Sequence, residues 1–383
     1  MRSEEALKLL QKLLQVNTVE GQEGQALARL ISYLEKLGFD CQTSSYAPDR
    51  DQLVASWSSG QPGPRLGLTG HLDVVPSGLE EAWTYPPFAG QIKDGKIYGR
   101  GASDMKGGLV ALVAAASQLI QAGSIEAGSL HFIITADEES GGKGAEALDQ
   151  AGRVPEVDAL ICAEPTDSTI CTGHRGGLSL KFESFGQAGH AATASPDQNA
   201  LSPLLDLAPA IRQDFQDQAA QLNHPILGQP SLQISCLHAG HKANLVPDSA
   251  WMTLDRRTLP QEDHGQILAN YQKMVDQISA DRPYPKTQLR VIANMPALAT
   301  DPSARLIQAS QAAYKQTFNK EAQLAPFFGG TDCVAIASQN PGLEVVIFGP
   351  GKTQHQVDEH LDLADFDQAI HFFVELITGY LKQ

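Results

Sequence analysis

The amino-acid sequence predicts an α/β protein in which a mixed sheet is interrupted by an inserted ferredoxin-like α+β domain. Predicted strands alternate with helices in the first part of the chain, the order changes to βαββαβ from about residue 178, and a helix–strand–helix run then resumes. Alternating strands and helices are typical of α/β layers, whereas βαββαβ is the order of a ferredoxin-like sheet. We therefore expect one domain over residues 1–176 and 296–383 and a second over residues 177–295.

The first domain is expected to begin with two helices, because apolar residues recur at helical spacing over residues 4–15 and 23–37, and Gly38 follows the second run. Short runs rich in aliphatic residues then predict strands, with one long helix between the second and the third. The predicted strands are Leu53–Trp57, Arg65–Val75, Leu130–Ala136 and Val157–Ala163, and the long helix is Lys106–Gln121.

The inserted domain and the return of the chain are predicted from the same periodicities. Its expected strands are 178–185, 231–238, 249–258 and 288–294, and its expected helices are 199–222 and 262–279. A helix at 303–317, a strand at 343–348 and a helix at 363–381 are then expected to complete the first domain.

Composition and charge narrow the functional classes. A chain of 383 residues suggests two domains, and its net charge of −16 argues against binding to nucleic acid or anionic membranes, which requires clustered Lys and Arg. The longest apolar stretch is too short to span a bilayer, and acids near the N-terminus are atypical of a signal peptide, so we expect a cytoplasmic protein. Five cysteines without a Cys-x-x-Cys pair indicate reduced thiols rather than disulfides or thiolate zinc sites.

Two acidic motifs are candidates for metal binding. In Gly-His71-Leu-Asp73, at the end of a predicted strand, the two polar side chains can face the same side, as a metal-bound imidazole and its orienting carboxylate do. Asp104 precedes the long helix, where an N-cap is the simpler explanation, but that role does not explain the four glycines within the ten residues 99–108. A solvated strand end remains the alternative for the first motif.

Three further strand ends carry candidate residues. Asp137-Glu138-Glu139 follows one strand, Glu164 follows another, and His355 lies in a loop after a third. Open α/β folds place their ligands at such strand ends, and adjacent carboxylates repel one another unless a cation or a proton intervenes. A solvated acidic turn is the alternative. Imidazole and carboxylate ligands together favour zinc, with cobalt or manganese possible.

At this point the sequence resembles the M20 family of metallopeptidases and deacylases, which includes acetylornithine deacetylase and succinyl-diaminopimelate desuccinylase. The resemblance covers essentially the whole chain. It rests on four motifs in the order and spacing of the family's signatures: Gly-His-Leu-Asp-Val-Val-Pro, Trp83-Thr-Tyr-Pro-Pro-Phe88, Tyr-Gly-Arg-Gly-Ala-Ser-Asp-Met-Lys-Gly-Gly and Asp-Glu-Glu-Ser-Gly-Gly.

The resemblance implies roles for individual residues in a centre of two divalent ions, most simply zinc. One ion is expected to bind His71, Asp104 and Glu164, and the other His355, Asp104 and Glu139, with Asp104 bridging. Asp73 is expected to orient His71, and Glu138 to act as the general base. The resemblance also implies a cis peptide bond after Asp104.

Substrate contacts are expected mainly from the inserted domain, which the resemblance implies forms a homodimer. His190 is expected to stabilise the oxyanion in the partner's active site, and Arg257 and Asn244 to bind substrate. Arg175 resembles a second carboxylate anchor, for which a planar guanidinium is suited. Gly329, Gly330 and Thr331 match a substrate-side loop.

The expected reaction is removal of an N-acyl group from an amino acid. N-succinyl-diaminopimelate is the leading substrate and N-acetylornithine the second, while a dipeptidase or carboxypeptidase activity and a noncatalytic small-molecule binding protein remain alternatives. Two positions depart from the desuccinylase pattern. Gly351 occupies the place of an Asn, and Thr331-Asp332-Cys333 the place of a Thr-Ser-Asp run. These departures bear on the acyl group rather than on the metal ligands.

Overall fold

The structure is a computed structural model, and it describes residues 3–219, 221–280, 285–340 and 342–382. The chain separates into two units, one formed by Met1–Gly173 with Ala299–Gln383 and the other by His174–Leu298. The expected boundaries lie within three residues of these joins. Within the described residues, no helix combines the length and the apolar character needed to cross a membrane.

The first unit is built on a nine-stranded mixed sheet of order β1-β2-β6-β3-β7-β17-β8-β15, with β16 paired to β8. Strands β6, β3, β7 and β17 are parallel neighbours, and antiparallel strands flank them. The sheet strands are β1 (Asp40–Ala47), β2 (Arg50–Ser58), β3 (Arg65–His71), β6 (Ser129–Thr135), β7 (Ala159–Cys162), β8 (Ile170–His174), β15 (Leu298–Ala299), β16 (Leu324–Phe327) and β17 (Glu344–Ile347).

Helices cover this sheet, and a small sheet adjoins it. The helices are α1 (Ser3–Leu14), α2 (Glu23–Leu34), α3 (Lys106–Gln121), α4 (Lys143–Gln150), α7 (Arg305–Phe318), α8 (Cys333–Ser338) and α9 (Leu363–Leu381). The small sheet pairs β4 (Gln91–Lys93), β5 (Lys96–Tyr98) and β18 (His360–Asp362). Helix α3 is buried along nearly its whole length and packs on α1, α9 and β3, which explains its almost uninterrupted apolar sequence.

The second unit has a four-stranded antiparallel sheet of order β11-β13-β9-β14. This is the strand order of a ferredoxin-like βαββαβ unit, as the sequence predicts. Its elements are β9 (Gly176–Phe185), β10 (Gly189–His190), α5 (Ser202–Ala219), β11 (Ser231–Ala239), β12 (Leu245–Val246), β13 (Ser249–Thr258), α6 (His264–Ser279) and β14 (Lys286–Met295). Residue 220, within the expected helix 199–222, lies outside the described residues.

The core of this second unit shows why its two helices form on one face of the sheet. Alternate residues of the central strands, including Phe182 and Met252, are buried against Leu207 and Ile211 of α5 and Tyr271 of α6. The period of two along the strands and of about 3.6 along the helices brings these side chains into one core. The unit therefore has an apolar core of its own.

Candidate active site

The parallel strands bring the acidic motifs to one edge of the first unit's sheet. Strand β3 ends at His71, β6 ends just before Asp137, and β7 ends just before Glu164. The loop that carries His355 follows β17. Because these four strands are parallel, their carboxyl ends lie at the same edge, which is where open α/β sheets place ligands.

Asp104 reaches this edge from the start of α3. The peptide bond between Asp104 and Met105 is cis, as the resemblance implies. Gly108, in the first turn of the helix, packs so closely on the end of β7 that a Cβ atom there would lie 2.0 Å from the carbonyl oxygen of Ala163. Gly101 has a φ of +88°, a conformation that L side chains rarely adopt. Close packing and backbone conformation thus account for glycines in this loop.

His71 lies among three carboxylates in the first half of the site. Its Nε2 atom is 3.2 Å from Oδ1 of Asp104, 3.7 Å from Oε1 of Glu164 and 4.0 Å from Oε2 of Glu138. His71 and Glu164 are buried. His71 Nδ1 lies 2.9 Å from the carbonyl oxygen of Asp73, which can only accept, so Nδ1 carries a proton and Nε2 faces the carboxylates.

His355 forms the second half of the site with the other oxygen of Asp104. Its Nε2 atom is 3.3 Å from Oδ2 of Asp104 and 3.0 Å from Oε1 of Glu139. The Asp104 carboxylate therefore lies between the two imidazoles, with one oxygen toward each. This arrangement suits a bridging ligand.

The ionisation of these groups follows from burial and proximity. Burial raises the pKa of Glu164 and of Glu138 well above the usual range, and neighbouring carboxylates raise both further. Hydrogen bonds with Asp104 and Glu139 raise the pKa of His355 to about 10. Burial opposes the charge on Asp104, but hydrogen bonds from His355 and His71 outweigh it and lower its pKa. The site concentrates negative charge that protons or cations must balance.

The donor set fits divalent cations. His71 with Asp104 and Glu139, and His71 with Glu138 and Glu164, each offer ligand atoms within 4.8 Å of one another. Imidazole nitrogen and carboxylate oxygen are the ligands that zinc binds in catalytic sites, and they also accept cobalt or manganese. These two groups are not the predicted ligand sets, since one includes Glu138 and neither includes His355, but their chemistry fits divalent metal ions.

The sequence predicts that the Asp73 side chain orients His71, but in the structure that side chain mainly contacts other groups. Strand β3 ends at His71, so Asp73 lies beyond the strand, and its carboxylate is 3.7 Å from His71 Nδ1, farther than its own carbonyl oxygen. Its two carboxylate oxygens accept the backbone N–H groups of Glu138 and Glu139, at 3.2 and 3.1 Å. Asp73 thus fixes His71 chiefly through its backbone and fixes the acidic turn through its side chain.

A buried arginine that the sequence analysis does not identify supports this acidic turn. Arg50 Nη2 is 3.1 Å from Asp137 and 3.8 Å from Asp73, and its Nε is 3.2 Å from Glu23. All four side chains are nearly inaccessible to solvent. Burial raises the pKa of Glu23 to about 7, although Arg50 opposes that shift. An Arg at the start of a strand gives no local sign of such partners.

Asp332 lies next to Glu138, the expected general base. It lines a small cavity together with His71, Glu138 and Glu164, and burial raises its pKa to about 7. The preceding loop contains the expected substrate-side residues Gly330, which is partly exposed, and Thr331, which is buried. The departure at Asp332 therefore places a carboxylate beside the cavity.

The remaining candidate residues belong to the second unit. His190 is exposed on β10, which pairs with β12, and the carbonyl oxygen of Asn244 accepts the N–H of Ala191, so this ladder brings His190 and Asn244 close together. Arg257 forms an ion pair with Asp255 at 2.9 Å, and Arg175 donates to the carbonyl oxygen of Gln229 at 3.2 Å. Substrate contacts by these four residues stay predictions.

Comparison with known proteins gives the same family over most of the chain. The model of peptidase family M20/M25/M40 matches residues 67–379. A probable succinyl-diaminopimelate desuccinylase of Staphylococcus aureus is 28% identical, with 99% of this chain and 98% of that protein covered. A succinyl-diaminopimelate desuccinylase of Methylorubrum extorquens is 30% identical, with 99% and 100% covered.

Solved structures share the fold. The M20 family metallo-carboxypeptidase Sso-CP2 of Sulfolobus solfataricus has a TM-score of 0.79 at 18% identity, covering 99% of this chain and 100% of that one. The Bacillus subtilis YXEP protein, a dinuclear metal-binding peptidase of the M20 family, has a TM-score of 0.72 at 18% identity, covering 99% and 98%. The predicted α/β architecture and the hydrolase class are confirmed, and a noncatalytic binding protein is disfavoured. Together, the family match over most of the chain and the converging imidazoles and carboxylates establish that the chain belongs to peptidase family M20/M25/M40 and is a metal-dependent hydrolase.

Proposed function

We propose that this hydrolase removes an N-acyl group from an amino acid, with N-succinyl-diaminopimelate as the leading substrate. The observation that carries the proposal is the convergence of His71, His355 and four carboxylates at one sheet edge, with Asp104 between the two imidazoles. The names of the two curated relatives support the choice of acyl group.

The metal ligands are those that the family resemblance implies, and the short distances from His71 to Asp104 and Glu164 and from His355 to Asp104 and Glu139 support them. In this proposal one ion is held by His71, Asp104 and Glu164 and the other by His355, Asp104 and Glu139, with zinc the first choice and cobalt or manganese the alternatives. Bound there, the ions supply Lewis acidity that polarises the amide carbonyl and lowers the pKa of water.

Glu138 transfers the proton. Its carboxylate lies 4.0 Å from His71 Nε2 and could itself join a metal group with His71 and Glu164, but the proposed ligand sets do not use it. In this proposal it takes a proton from the attacking water and delivers it to the leaving nitrogen. Asp73 holds the backbone of this turn, which fixes the direction in which the Glu138 side chain leaves the chain.

His190 is suited to stabilise the oxyanion, from the partner subunit in the homodimer that we propose. Its Nδ1 accepts the N–H of Ala192 at 3.2 Å, so in the neutral ring Nε2 carries the proton and is a donor. A fixed donor to an oxyanion contributes about 3 to 4 kcal/mol to barrier lowering. Arg257, Asn244 and Arg175 are proposed to bind polar groups of the substrate, with Gly330 and Thr331 contributing from the first unit.

A peptidase acting on dipeptides or C-terminal residues is the second candidate, and the structure at residue 351 bears on the choice. Gly351 stands where the resemblance implies an Asn in desuccinylases, and it has a φ of +106°. A Cβ atom there would lie 2.2 Å from Oγ of Ser103, so this backbone leaves no room for that side chain. An acyl-group contact from an Asn side chain at this position is therefore excluded, which keeps N-acetylornithine and peptides as the alternative substrates.

One experiment tests these alternatives together. The purified protein is stripped with a chelator, reloaded separately with zinc, cobalt or manganese, and assayed on N-succinyl-diaminopimelate, N-acetylornithine, dipeptides and a C-terminally blocked peptide. We expect activity only after reloading and the highest kcat/KM on the succinyl substrate. Higher kcat/KM on peptides would replace the deacylase assignment with the peptidase one, and no hydrolysis on the whole panel with any ion would refute the proposed substrate class.

A further inference from the structure

The fully buried carboxylate of Glu359 contacts the glycine loop, residues 99–108, which carries Asp104. One oxygen of Glu359, Oε1, accepts three backbone N–H groups, from Gly101 at 3.1 Å, Ser103 at 2.9 Å and Asp104 at 3.0 Å. Three donors from one loop converging on one oxygen make a specific contact.

The second oxygen of Glu359 forms a buried ion pair. Oε2 accepts Nη1 of Arg100 at 2.5 Å, and both side chains are shielded from solvent. Arg100 is itself fixed, because it lies over the ring of Trp83 at 5.1 Å and donates to the carbonyl oxygens of Pro76 and Gln356. The pairing balances the two charges, which are costly to bury singly. The Glu359 side chain is therefore held at both of its oxygens.

Glu359 is also tied to the loop that carries His355. It follows His355 by four residues, and its own carbonyl oxygen accepts the N–H of Gly99 at 2.9 Å. The preceding residue, Asp358, accepts both the N–H and the hydroxyl of Thr84 at 2.7 Å each. Glu359 thus holds the chain segment that follows His355 against the glycine loop through both its backbone and its side chain.

We propose that Glu359 is a positioning residue that couples the two loops of the metal centre, setting the backbone of Asp104 relative to His355. The inference rests on the proposed roles of these two residues as metal ligands. The Asp104 carboxylate keeps its oxygens 3.2 Å from His71 and 3.3 Å from His355 only while its backbone stays in place, and Glu359 binds the N–H of Asp104 itself. Groups that orient metal ligands without touching the metal commonly change metal affinity by about 10- to 100-fold when they are removed.

The test measures zinc binding directly, by competition with a chromophoric chelator and by metal analysis of the gel-filtered protein. Glu359→Ala removes the acceptor for all three N–H groups, and we expect zinc affinity to fall by nearly 100-fold. Glu359→Gln keeps an oxygen for those N–H groups but loses the charge opposite Arg100, and we expect a partial loss of about 10-fold. Circular dichroism of the metal-free proteins reports whether each variant folds.

A matched control separates positioning from stability. Glu344 also binds backbone N–H groups through its carboxylate, those of Arg305 and Leu306 at the start of α7, at 3.3 and 2.7 Å. Glu344→Ala is expected to lower the melting temperature while leaving zinc affinity unchanged. If it weakens zinc binding as much as Glu359→Ala does, general destabilisation explains the effect and the inference is overturned.

Two further outcomes decide the matter. Wild-type zinc affinity in folded Glu359→Ala contradicts the inference, and if that variant does not fold, wild-type affinity in Glu359→Gln does so instead. The readout is independent of turnover. A wild-type protein that binds two equivalents of zinc but hydrolyses no substrate of the panel refutes the proposed function alone, whereas one that binds no metal refutes both.

Discussion

Replacement of Glu138 by Gln is the most direct test of the proposed chemistry. Gln has nearly the shape of Glu but cannot take a proton from water at neutral pH. The backbone N–H of residue 138 still reaches Asp73, so the acidic turn keeps its anchor. Glu139 and Glu164, the carboxylates that complete the two proposed ligand sets, are unchanged. The substitution therefore removes proton transfer and little else.

The expected size of the effect follows from that role. Positioned proton transfer contributes about 100- to 10,000-fold to rate, which corresponds to about 2.7 to 5.4 kcal/mol in the activation barrier. The Glu138 side chain is only 18% exposed and lies 4.0 Å from Nε2 of His71, so solvent does not readily supply a substitute base. We expect kcat to fall by at least about 100-fold, with KM nearly unchanged.

The assay combines steady-state kinetics on the best substrate of the panel with metal analysis of the same preparation. Glu146→Gln, an exposed acid on α4 in the same segment, serves as the control and is expected to behave as wild type. A Glu138→Gln protein that retains both metals and most of its activity would show that another group is the base. Loss of metal instead would assign Glu138 to the ligand set.

Three further outcomes follow from the buried charges. Arg50→Met leaves the carboxylates around it without their cation, so it should lower the free energy of unfolding of the metal-free protein by about 3 to 5 kcal/mol in urea titrations. The control Arg65→Met, at a surface ion pair, should lower that free energy by less than about 1 kcal/mol. Equal losses in the two variants would contradict the buried network. Because burial raises the pKa of Glu23 from 4.5 to about 7, its ionisation destabilises the folded state as pH rises through that window. The stability of Glu23→Gln relative to wild type should therefore increase between about pH 4.5 and 7 and stay constant above pH 7. A difference in melting temperature that does not depend on pH would contradict the raised pKa of Glu23. Finally, zinc must displace protons from His355, whose pKa is about 10, and from Glu164, so zinc affinity should rise with pH. Calorimetry in buffers of different ionisation enthalpy should detect the released protons. A zinc affinity that does not change with pH would refute this prediction.

Local sequence patterns were sufficient for most elements that carry the site. Helix α3 has the predicted bounds Lys106–Gln121, and β13 has the predicted bounds 249–258. Strand β1, Asp40–Ala47, was not predicted, because it lies at the sheet edge and none of its residues is fully buried, so it has no clear apolar pattern. The small sheet was missed for a related reason, since strands of three residues are too short to show a periodicity.

The sequence by itself determined the chemical types at the site and the edge where they would meet. Acids and histidines that directly follow buried strands are recognisable locally, and parallel strands place their ends together. Only the tertiary structure decided which groups hold those side chains in place. Asp73 binds the backbone at residues 138 and 139, Arg50 neutralises acids from three segments, and Glu359 binds the backbone of Asp104, 255 residues earlier in the chain. Such contacts join positions with no shared periodicity, and their strength comes from burial, which a sequence pattern does not encode.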